Sequence, residues 1–408
     1  MKKLAYVGII LLTGINLALV FHDFDAAGTF FGPDRSLIKG LDLIMRRNEA
    51  QCVMDGVDPY LVWTQQIVRE PYYPYVRQDL LSECFYEPIN AYTPWEYPFA
   101  MLYAVLPKQV AWGAHFALML VSFMAIVLFA WRKGGPWASV AVLLFVMPAN
   151  VDINVGNYAL IVTFAIVGML SFLKSGRDLF AGVCWIFAMF KPQLGVLLAI
   201  PLLLRGRWRV CVTSGLLCAL LLIFVSVLCG VSPVVLLREA PAASVHAFEG
   251  CALMPPQLLD IISTALPDAV LLSIPMCMGV IACAVLTWHV RKSDDWLILV
   301  TPSLLCAVAW TYVQPHSYVL LMPVAAVFVA DIAERPTVGR ICLGVSAIMF
   351  MARFPRGVEI VSAKLIPVVT PIAHSFTLIS ATVAFLLSVV YVWKYLPMSE
   401  DTKIPRDL

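Results

Sequence analysis

Charged residues are scarce in this chain. Of its 408 residues, only 13% are Asp, Glu, Lys or Arg and 61% are hydrophobic, whereas soluble domains carry about 25% charged residues. The mean hydropathy is +0.86. A chain of this composition exposes too much apolar surface to fold as soluble domains in water. The sequence therefore predicts an all-α, polytopic membrane protein.

The chain also lacks an excess of either charge. Its 28 basic and 26 acidic residues leave a net charge of +2, which excludes the strong positive field that attracts nucleic acid. The eleven cysteines form no CxxC pair and no Cys/His cluster with metal-ligand spacing, so they predict no metal site. We also expect no other metal site and no cofactor. Cys52 and Cys84 share one polar segment, where a disulfide and two free thiols both remain open interpretations.

No convincing A-x-A cleavage site follows the first apolar run, Leu4 to Phe21. Residues 1–21 are therefore predicted to be an uncleaved transmembrane helix. Further apolar segments predict a transmembrane bundle over residues 109–394 and about ten to twelve spans in all. Several segments are shorter than the ~20 residues that cross the hydrocarbon, so the count stays open. Residues 395–408 are expected to be a cytoplasmic tail.

The basic residues give an orientation. With Lys2 and Lys3 in the cytoplasm, sixteen Lys and Arg side chains fall on that side, and five outside the first loop fall on the other. This distribution places residues 22–108 at the outer face of a bacterial cytoplasmic membrane. Twelve of the 26 carboxylates lie between His22 and Lys108, and loops of this length are usually functional. A second, irregular outer loop over residues 231–267 is predicted from Pro233, Pro241, Pro255 and Pro256.

A helix is predicted inside the first outer loop. Apolar residues from Asp42 to Met54 recur at approximately helical spacing, and Gly56 supplies a stop. Asp42 and Arg46 would share a helix face at i, i+4. One interpretation is an exposed ion pair that contributes little stability. The other is a functional carboxylate next to two arginines, Arg46 and Arg47.

Four stretches of the chain occur in an order, spacing and sidedness that resemble glycosyltransferase family 87. These are membrane enzymes of the GT-C type that use polyprenyl-phosphate sugars, and the resemblance covers most of the chain. The stretches are Asp42 fourteen residues before the Gly-Val-Asp-Pro-Tyr turn at Gly56; Tyr92-Thr93-Pro94; Gly156-Asn157-Tyr158 with Lys191-Pro192-Gln193 and Arg205 to Arg209; and Gln314-Pro315-His316-Ser317-Tyr318.

The resemblance implies that Asp42 is the catalytic residue, a single general base that takes the proton of the acceptor hydroxyl. The departing lipid phosphate needs cations, and the candidates are Lys191, His316, Arg46 and Arg47. A snorkelling lysine and an interfacial histidine are the alternatives for the first two. The candidate substrate-binding residues are Asp58, Tyr60, Tyr92, Asn157, Gln193, Gln314 and Tyr318.

The expected function is transfer of a hexose, with mannose the family's best-known sugar. The donor would be a polyprenyl-phosphate sugar, and the acceptor a glycolipid or envelope glycan. Besides these substrates, the expected partners are membrane lipids. We do not expect nucleic acid to be a partner. The alternatives are a secondary transporter, a flippase for lipid-linked substrates, and a noncatalytic subunit of an envelope assembly machine. Transporters usually carry carboxylates inside spans, so acids gathered in one outer loop favour an enzyme.

Overall fold

The computed structural model describes residues 2–28, 41–60, 93–248, 268–309, 315–352 and 370–396. This part of the chain is mostly α-helical, contains no strand, and has short 3-10 segments at Pro94–Glu96, Val196–Leu198 and Pro315–Leu321. Its helices are α1 (Lys2–Gly28), α2 (Leu41–Met54), α3 (Tyr97–Ala104), α4 (Lys108–Leu143), α5 (Val146–Val155), α6 (Ala159–Lys174), α7 (Asp178–Ala188), α8 (Pro192–Gly195), α9 (Ala199–Leu204), α10 (Trp208–Cys229), α11 (Pro233–Phe248), α12 (Asp268–His289), α13 (Trp296–Ala309), α14 (Met322–Glu334), α15 (Val338–Met351) and α16 (Thr370–Tyr395).

The predicted all-α class is confirmed for the described residues, and their helices fit a membrane protein. Three helical stretches there are long and apolar enough to cross a bilayer: Lys108–Leu143, Trp208–Cys229 and Ser317–Glu334. Pro148–Val155 and Ala159–Lys174 make a fourth if this pair, bent by 114°, is one broken span. The larger number of ten to twelve spans and the GT-C arrangement stay predictions.

Helix α4 consists of two helices that meet at a sharp turn. Gly134 and Gly135 have non-helical backbone angles, and Gly135 adopts a φ of 72° that favours glycine. Pro136 then begins the second half, where a missing backbone N–H is tolerated. This half folds back along the first, because the Ser139 hydroxyl donates to the Val127 carbonyl at 3.1 Å. The chain thereby returns toward the end of the bundle from which α4 started.

Both segments that the sequence predicts to be outer loops contain a helix. The helix predicted from Asp42 to Met54 is confirmed as α2, and Gly56 follows it with a φ of 75°. The irregular loop predicted from residue 231 is wrong for its first part, because Pro233–Phe248 is helical. Proline at the first helical position costs little, since its missing N–H has no partner there in any helix.

Ion pairs and a hydrogen bond between helix ends collect at one end of the bundle, which we call the basic end. Lys133 pairs with Asp295 there, and Arg207 lies 3.1 Å from Asp178. Arg205 donates to the Ser293 carbonyl. These contacts join the ends of helices that are far apart in sequence.

Helix α6 separates the basic end from the opposite end of the bundle. Its 16 residues span about 24 Å at a rise of about 1.5 Å per residue. It starts next to Asn157 and ends at Lys174, close to Asp178. A small cluster of buried side chains from α2, the turn after it, α3, α10 and α11 packs α2 onto the bundle at the far end: Val53, Tyr60, Tyr97, Leu222, Val225, Cys229, Leu236 and Ala240.

Candidate active site

A tight turn between α5 and α6 presents Asn157. Gly156 ends α5 in a left-handed conformation with a φ of 69°, and the Asn157 N–H donates to the Asp152 carbonyl at 3.1 Å. The buried Asp152 carboxylate accepts from the backbone N–H groups of Ala159 at 3.3 Å and Leu160 at 2.8 Å. Asp152 therefore satisfies the first turn of α6, as a capping side chain does, and fixes the turn.

Asn157 connects a carboxylate to an ammonium group. Its Nδ2 donates to Oδ2 of Asp42, and its Oδ1 accepts from Nζ of Lys191 at 2.7 Å. The backbone N–H of Tyr158 donates to the same Oδ1 at 2.7 Å. Asn157 is 3% exposed and Lys191 7% exposed, while Asp42 is only half-buried. We call these three residues the Asp–Asn–Lys chain, and its carboxylate is the end that solvent reaches.

Burial controls the charge of Lys191. Desolvation lowers the pKa of its ammonium group to about 8, against the opposing attraction of Asp42 and Asp152, and Arg46 lowers it further. The group therefore remains largely protonated at neutral pH. The snorkelling alternative does not describe this lysine, because its amine is buried against Asn157 rather than extended to an interface.

The segment that carries Lys191, residues 189–195, is held on both sides, and we call it the lysine loop. Thr93 Oγ1 donates to the Met189 carbonyl at 3.2 Å, and Trp95 Nε1 donates to the same carbonyl at 2.9 Å. On the other side, Trp185 Nε1 donates to the Gly195 carbonyl at 3.0 Å. A Cβ at Gly195 would lie 2.6 Å from a carbonyl oxygen at the end of α7, so only glycine fits there without a shift.

Arg46 lies in the interior, where it pairs with an acid of its own helix. Its Nη1 is 2.6 Å from Oε2 of Glu49, and the two side chains are 2% and 0% exposed. The interpretation of Asp42 and Arg46 as an exposed ion pair is therefore wrong, because Arg46 is buried. Burial raises the pKa of Glu49 well above its usual range and that of Glu96 to about 7, while Arg46 opposes both increases. The charge of Arg46 therefore acts on the fully buried Glu96 as well as on Glu49.

Arg47, on the neighbouring position of α2, binds backbone carbonyls. Its Nε donates to the Tyr103 carbonyl at 2.8 Å, and its Nη2 donates to the carbonyls of Ala104 at 3.3 Å and Leu106 at 2.9 Å. These groups belong to the C-terminal end of α3, where carbonyls lack helical partners. The guanidinium therefore ties α2 to α3.

Asp58 and Tyr60 lie in the turn after α2. Asp58 Oδ1 accepts from the Tyr60 backbone N–H at 2.9 Å, the local pattern of an Asx turn. The Tyr60 ring is fully buried and lies 6.0 Å from the ring of Tyr97. Burial raises the pKa of both phenols well above the usual range.

The described part of the fourth stretch, residues 315–318, lies at the same end of the bundle as Asn157. The 3-10 segment Pro315–Leu321, which contains His316 and Tyr318, packs against α5 and α6, and the Tyr318 side chain is buried. Gln193 lies in α8, within the lysine loop.

Three residues named from the sequence, Tyr92, Gln314 and Cys84, lie outside the described residues. Cys52 is buried, and burial raises the pKa of its thiol. Within the described ranges, no group of three or more His, Cys, Asp or Glu residues lies close enough together to hold a metal ion.

Three buried acids at this end, Glu49, Glu96 and Asp152, were not singled out from the sequence. The first stands at i+3 from Arg46 on α2, a spacing typical of helical ion pairs. Glu96 closely follows the Tyr-Thr-Pro motif, and Asp152 comes four residues before Gly156. Their positions next to the motifs were the available signal.

The groups gathered around Asn157 define a class of protein. A half-buried carboxylate can accept a proton from a hydroxyl, and a buried ammonium nearby can stabilise an anionic leaving group. Held at one end of a helical membrane protein, these groups are suited to transfer chemistry on a membrane-bound substrate.

The chain belongs to glycosyltransferase family 87, whose family model matches residues 90–352. The match includes Asn157 and Lys191 and begins after Asp42. No curated protein and no solved structure matches the chain. The protein is therefore a glycosyltransferase, and the family decides against the transporter and flippase alternatives.

Proposed function

We propose that this glycosyltransferase moves a hexose from a polyprenyl-phosphate sugar to a glycolipid or envelope glycan at the outer face of the cytoplasmic membrane. The observation that supports it best is the Asp–Asn–Lys chain, because it unites a base and a cation from three separate segments. Mannose is the first sugar to test, since it is the best-known choice in the family.

In this proposal Asp42 is the general base. The acceptor hydroxyl gives its proton to the Asp42 carboxylate while its oxygen forms a bond to the anomeric carbon. The bond between that carbon and the phosphate oxygen breaks, and the phosphate keeps the electron pair. A phosphate leaves without help from an acid, so a single base is sufficient. Asn157 orients the carboxylate through its Nδ2–H.

Lys191 stabilises the phosphate as negative charge develops on it. Its position in a buried, low-dielectric environment strengthens this attraction relative to water. The amide oxygen of Asn157 holds the ammonium 2.7 Å away, so one side chain sets the positions of both the base and the cation. His316 remains a second phosphate candidate, because its segment packs against the helices that flank Asn157.

The two arginines of α2 have a supporting role in the proposal. Arg46 binds Glu49 inside the protein, and Arg47 binds the carbonyls at the end of α3. Both contacts hold the helix that carries Asp42, and we propose that neither arginine contacts the donor. The substrate-binding residues in the proposal are otherwise those named from the sequence: Asp58, Tyr60, Tyr92, Gln193, Gln314 and Tyr318.

A transfer assay with purified protein tests the donor class. The protein is incubated with a membrane lipid extract and radiolabelled polyprenyl-phosphate mannose, glucose or galactose, and the label is followed into an acceptor lipid or glycan. We expect one polyprenyl-phosphate sugar to be used, and the Asp42→Asn protein to serve as the inactive control. Transfer from nucleotide sugars alone would overturn the donor assignment.

Sidedness is tested by cysteine labelling. In an otherwise cysteine-free protein, Asp55→Cys lies at the end of α2 and Ser175→Cys at the basic end, and both positions are exposed. An impermeant thiol reagent applied to spheroplasts should label the first and spare the second, while both react in opened membranes. The reverse pattern would place the Asp–Asn–Lys chain in the cytosol.

A further inference from the structure

A cleft of about 550 Å³ lies at the basic end of the bundle, separated from the Asp–Asn–Lys chain by the length of α6. It lies where α7 and α10 begin. A space of this size is typical of ligand sites. Its lining includes Arg177, Asp178, Leu179, Phe180, Trp208 and Arg209.

The charge balance of the cleft is positive. Arg177 and Arg209 are exposed along it. The carboxylate in its lining, Asp178, lies 3.1 Å from Nη1 of Arg207, so a further arginine compensates that negative charge. The helices α7 and α10 both begin here without a side-chain cap, and helix N-termini favour anions.

The other wall of the cleft is apolar and open to the surroundings. Leu179, Phe180 and Trp208 are 62%, 52% and 58% exposed. Trp208 is the first residue of a candidate membrane span, a position typical of tryptophan at the membrane interface. Exposed Leu216 and Leu220 continue this surface along α10. Positive charge thus borders an exposed apolar surface that continues along a candidate membrane span.

We propose that this cleft binds an anionic phospholipid of the leaflet at the basic end. The guanidinium groups of Arg177 and Arg209 bind the headgroup phosphate, for which arginine has a matching geometry. The acyl chains lie along Leu179, Phe180 and the outer face of α10. Basic pockets between membrane helices recognise anionic headgroups in this way. This lipid is neither sugar donor nor acceptor, and the site does not depend on the proposed function.

Native mass spectrometry of the full-length protein in neutral detergent tests the site. Dioleoyl phosphatidylglycerol should bind the wild type at least about tenfold more tightly than dioleoyl phosphatidylcholine, as expected for charge-assisted bonds. Arg177→Gln with Arg209→Gln should abolish this preference. Arg132→Gln with Arg291→Gln removes the same charge from one exposed and one half-buried position outside the cleft and should leave the preference intact. Equal losses in both double variants would overturn the proposal.

Two further measurements distinguish a lipid headgroup from soluble phosphate and control for misfolding of the variants. Millimolar inorganic phosphate should not displace the lipid, because it lacks the acyl chains; displacement would indicate a site for soluble anions and overturn the proposal. Arg177→Lys with Arg209→Lys keeps the charges, so this pair should retain a preference for the anionic lipid even if the glutamine pair cannot be purified. A folded lysine pair without any preference would also overturn it.

Discussion

Asn157 donates a hydrogen bond to Asp42 across 115 positions of the chain. The base of the proposed reaction is therefore positioned by a residue of the bundle rather than by its own helix. The same amide accepts a hydrogen bond from Lys191, so the separation between base and cation depends on one side chain. Within the Asp–Asn–Lys chain, substitution of Asp42 should therefore lower the transfer rate, and substitution of Lys191 should weaken donor binding. Substitution of Asn157 should do both.

Asp42→Asn should lower the transfer rate by about 100-fold or more, because general-base catalysis contributes about 10² to 10⁴. The amide keeps the shape of the carboxylate but accepts no proton. Donor binding should persist, since other residues hold the phosphate. The measurement is single-turnover transfer together with donor binding. Asp55→Asn, a change of the same kind at the exposed end of α2, is the control. Transfer within about threefold of wild type would remove Asp42 from the mechanism.

Asn157→Leu should impair both partners of the amide. Without its Nδ2–H the Asp42 carboxylate loses its orientation, and without its Oδ1 the buried Lys191 loses a hydrogen bond. We expect kcat to fall and the donor KM to rise together, each by about tenfold, the value of one charge-assisted hydrogen bond. Steady-state kinetics on folded protein measures both. An effect on stability alone, with normal kinetics, would show that the amide is only a packing element.

The sequence identified the three members of this chain individually but not their contacts. Asp42 follows from a motif at the start of a helix, and Lys191 from a charge inside an apolar run. That the turn at Asn157 meets α2 follows from the fold-back at Gly134 and Gly135, which local periodicity does not reveal. The helical class was predictable because it follows from composition and the length of the apolar runs.

Burial of charged side chains was the property that the sequence predicted least well. Arg46 belongs to a polar stretch of the sequence, where charged residues are usually solvated, yet it is 1% exposed on α2. Its buried partners, Glu49 and Glu96, come from two segments that no short pattern connects. Pro233 contributed to the wrong prediction of a loop, because proline occurs both in loops and at the first position of helices.

Donor binding should weaken as the pH rises through about 8, where the Lys191 ammonium loses its proton. Arg at this position stays charged at every accessible pH, so Lys191→Arg should move this alkaline limb upward. Lys191→Ala should weaken donor use by about tenfold or more at neutral pH. The donor KM between pH 6 and 10 is the measurement, with about one point per half unit. Lys108→Ala, which changes a lysine outside the Asp–Asn–Lys chain, is the control. An unchanged alkaline limb in the Arg variant would assign it to another group.

Arg46→Leu should destabilise the protein by about 3–5 kcal/mol, because it leaves the buried carboxyl of Glu49 without its cation. Arg46→Leu combined with Glu49→Leu removes both charges and should recover much of this loss. Thermal unfolding in detergent compares the two variants with wild type. If Arg46→Leu unfolds like wild type but has a higher donor KM, the arginine is a phosphate ligand after all.

Glu96 should make stability depend on pH in a defined direction. Burial raises the pKa of Glu96 from 4.5 to about 7. Between these values the folded chain keeps a proton that the unfolded chain has released, so the free energy of unfolding decreases as the pH rises and levels off above about 7. The whole effect is at most about 3 kcal/mol. Glu96→Gln carries no titrating group, so its Tm should fall less than that of wild type between pH 5 and 8.

Glu334→Gln, at an exposed position near the basic end, is the matched control for Glu96→Gln and should follow the wild-type curve. The comparison uses Tm in the same detergent at each pH, so that titration of all other groups cancels in the difference. Parallel curves for wild type and Glu96→Gln would mean that Glu96 stays ionised throughout this range. Arg46 would then compensate its charge fully.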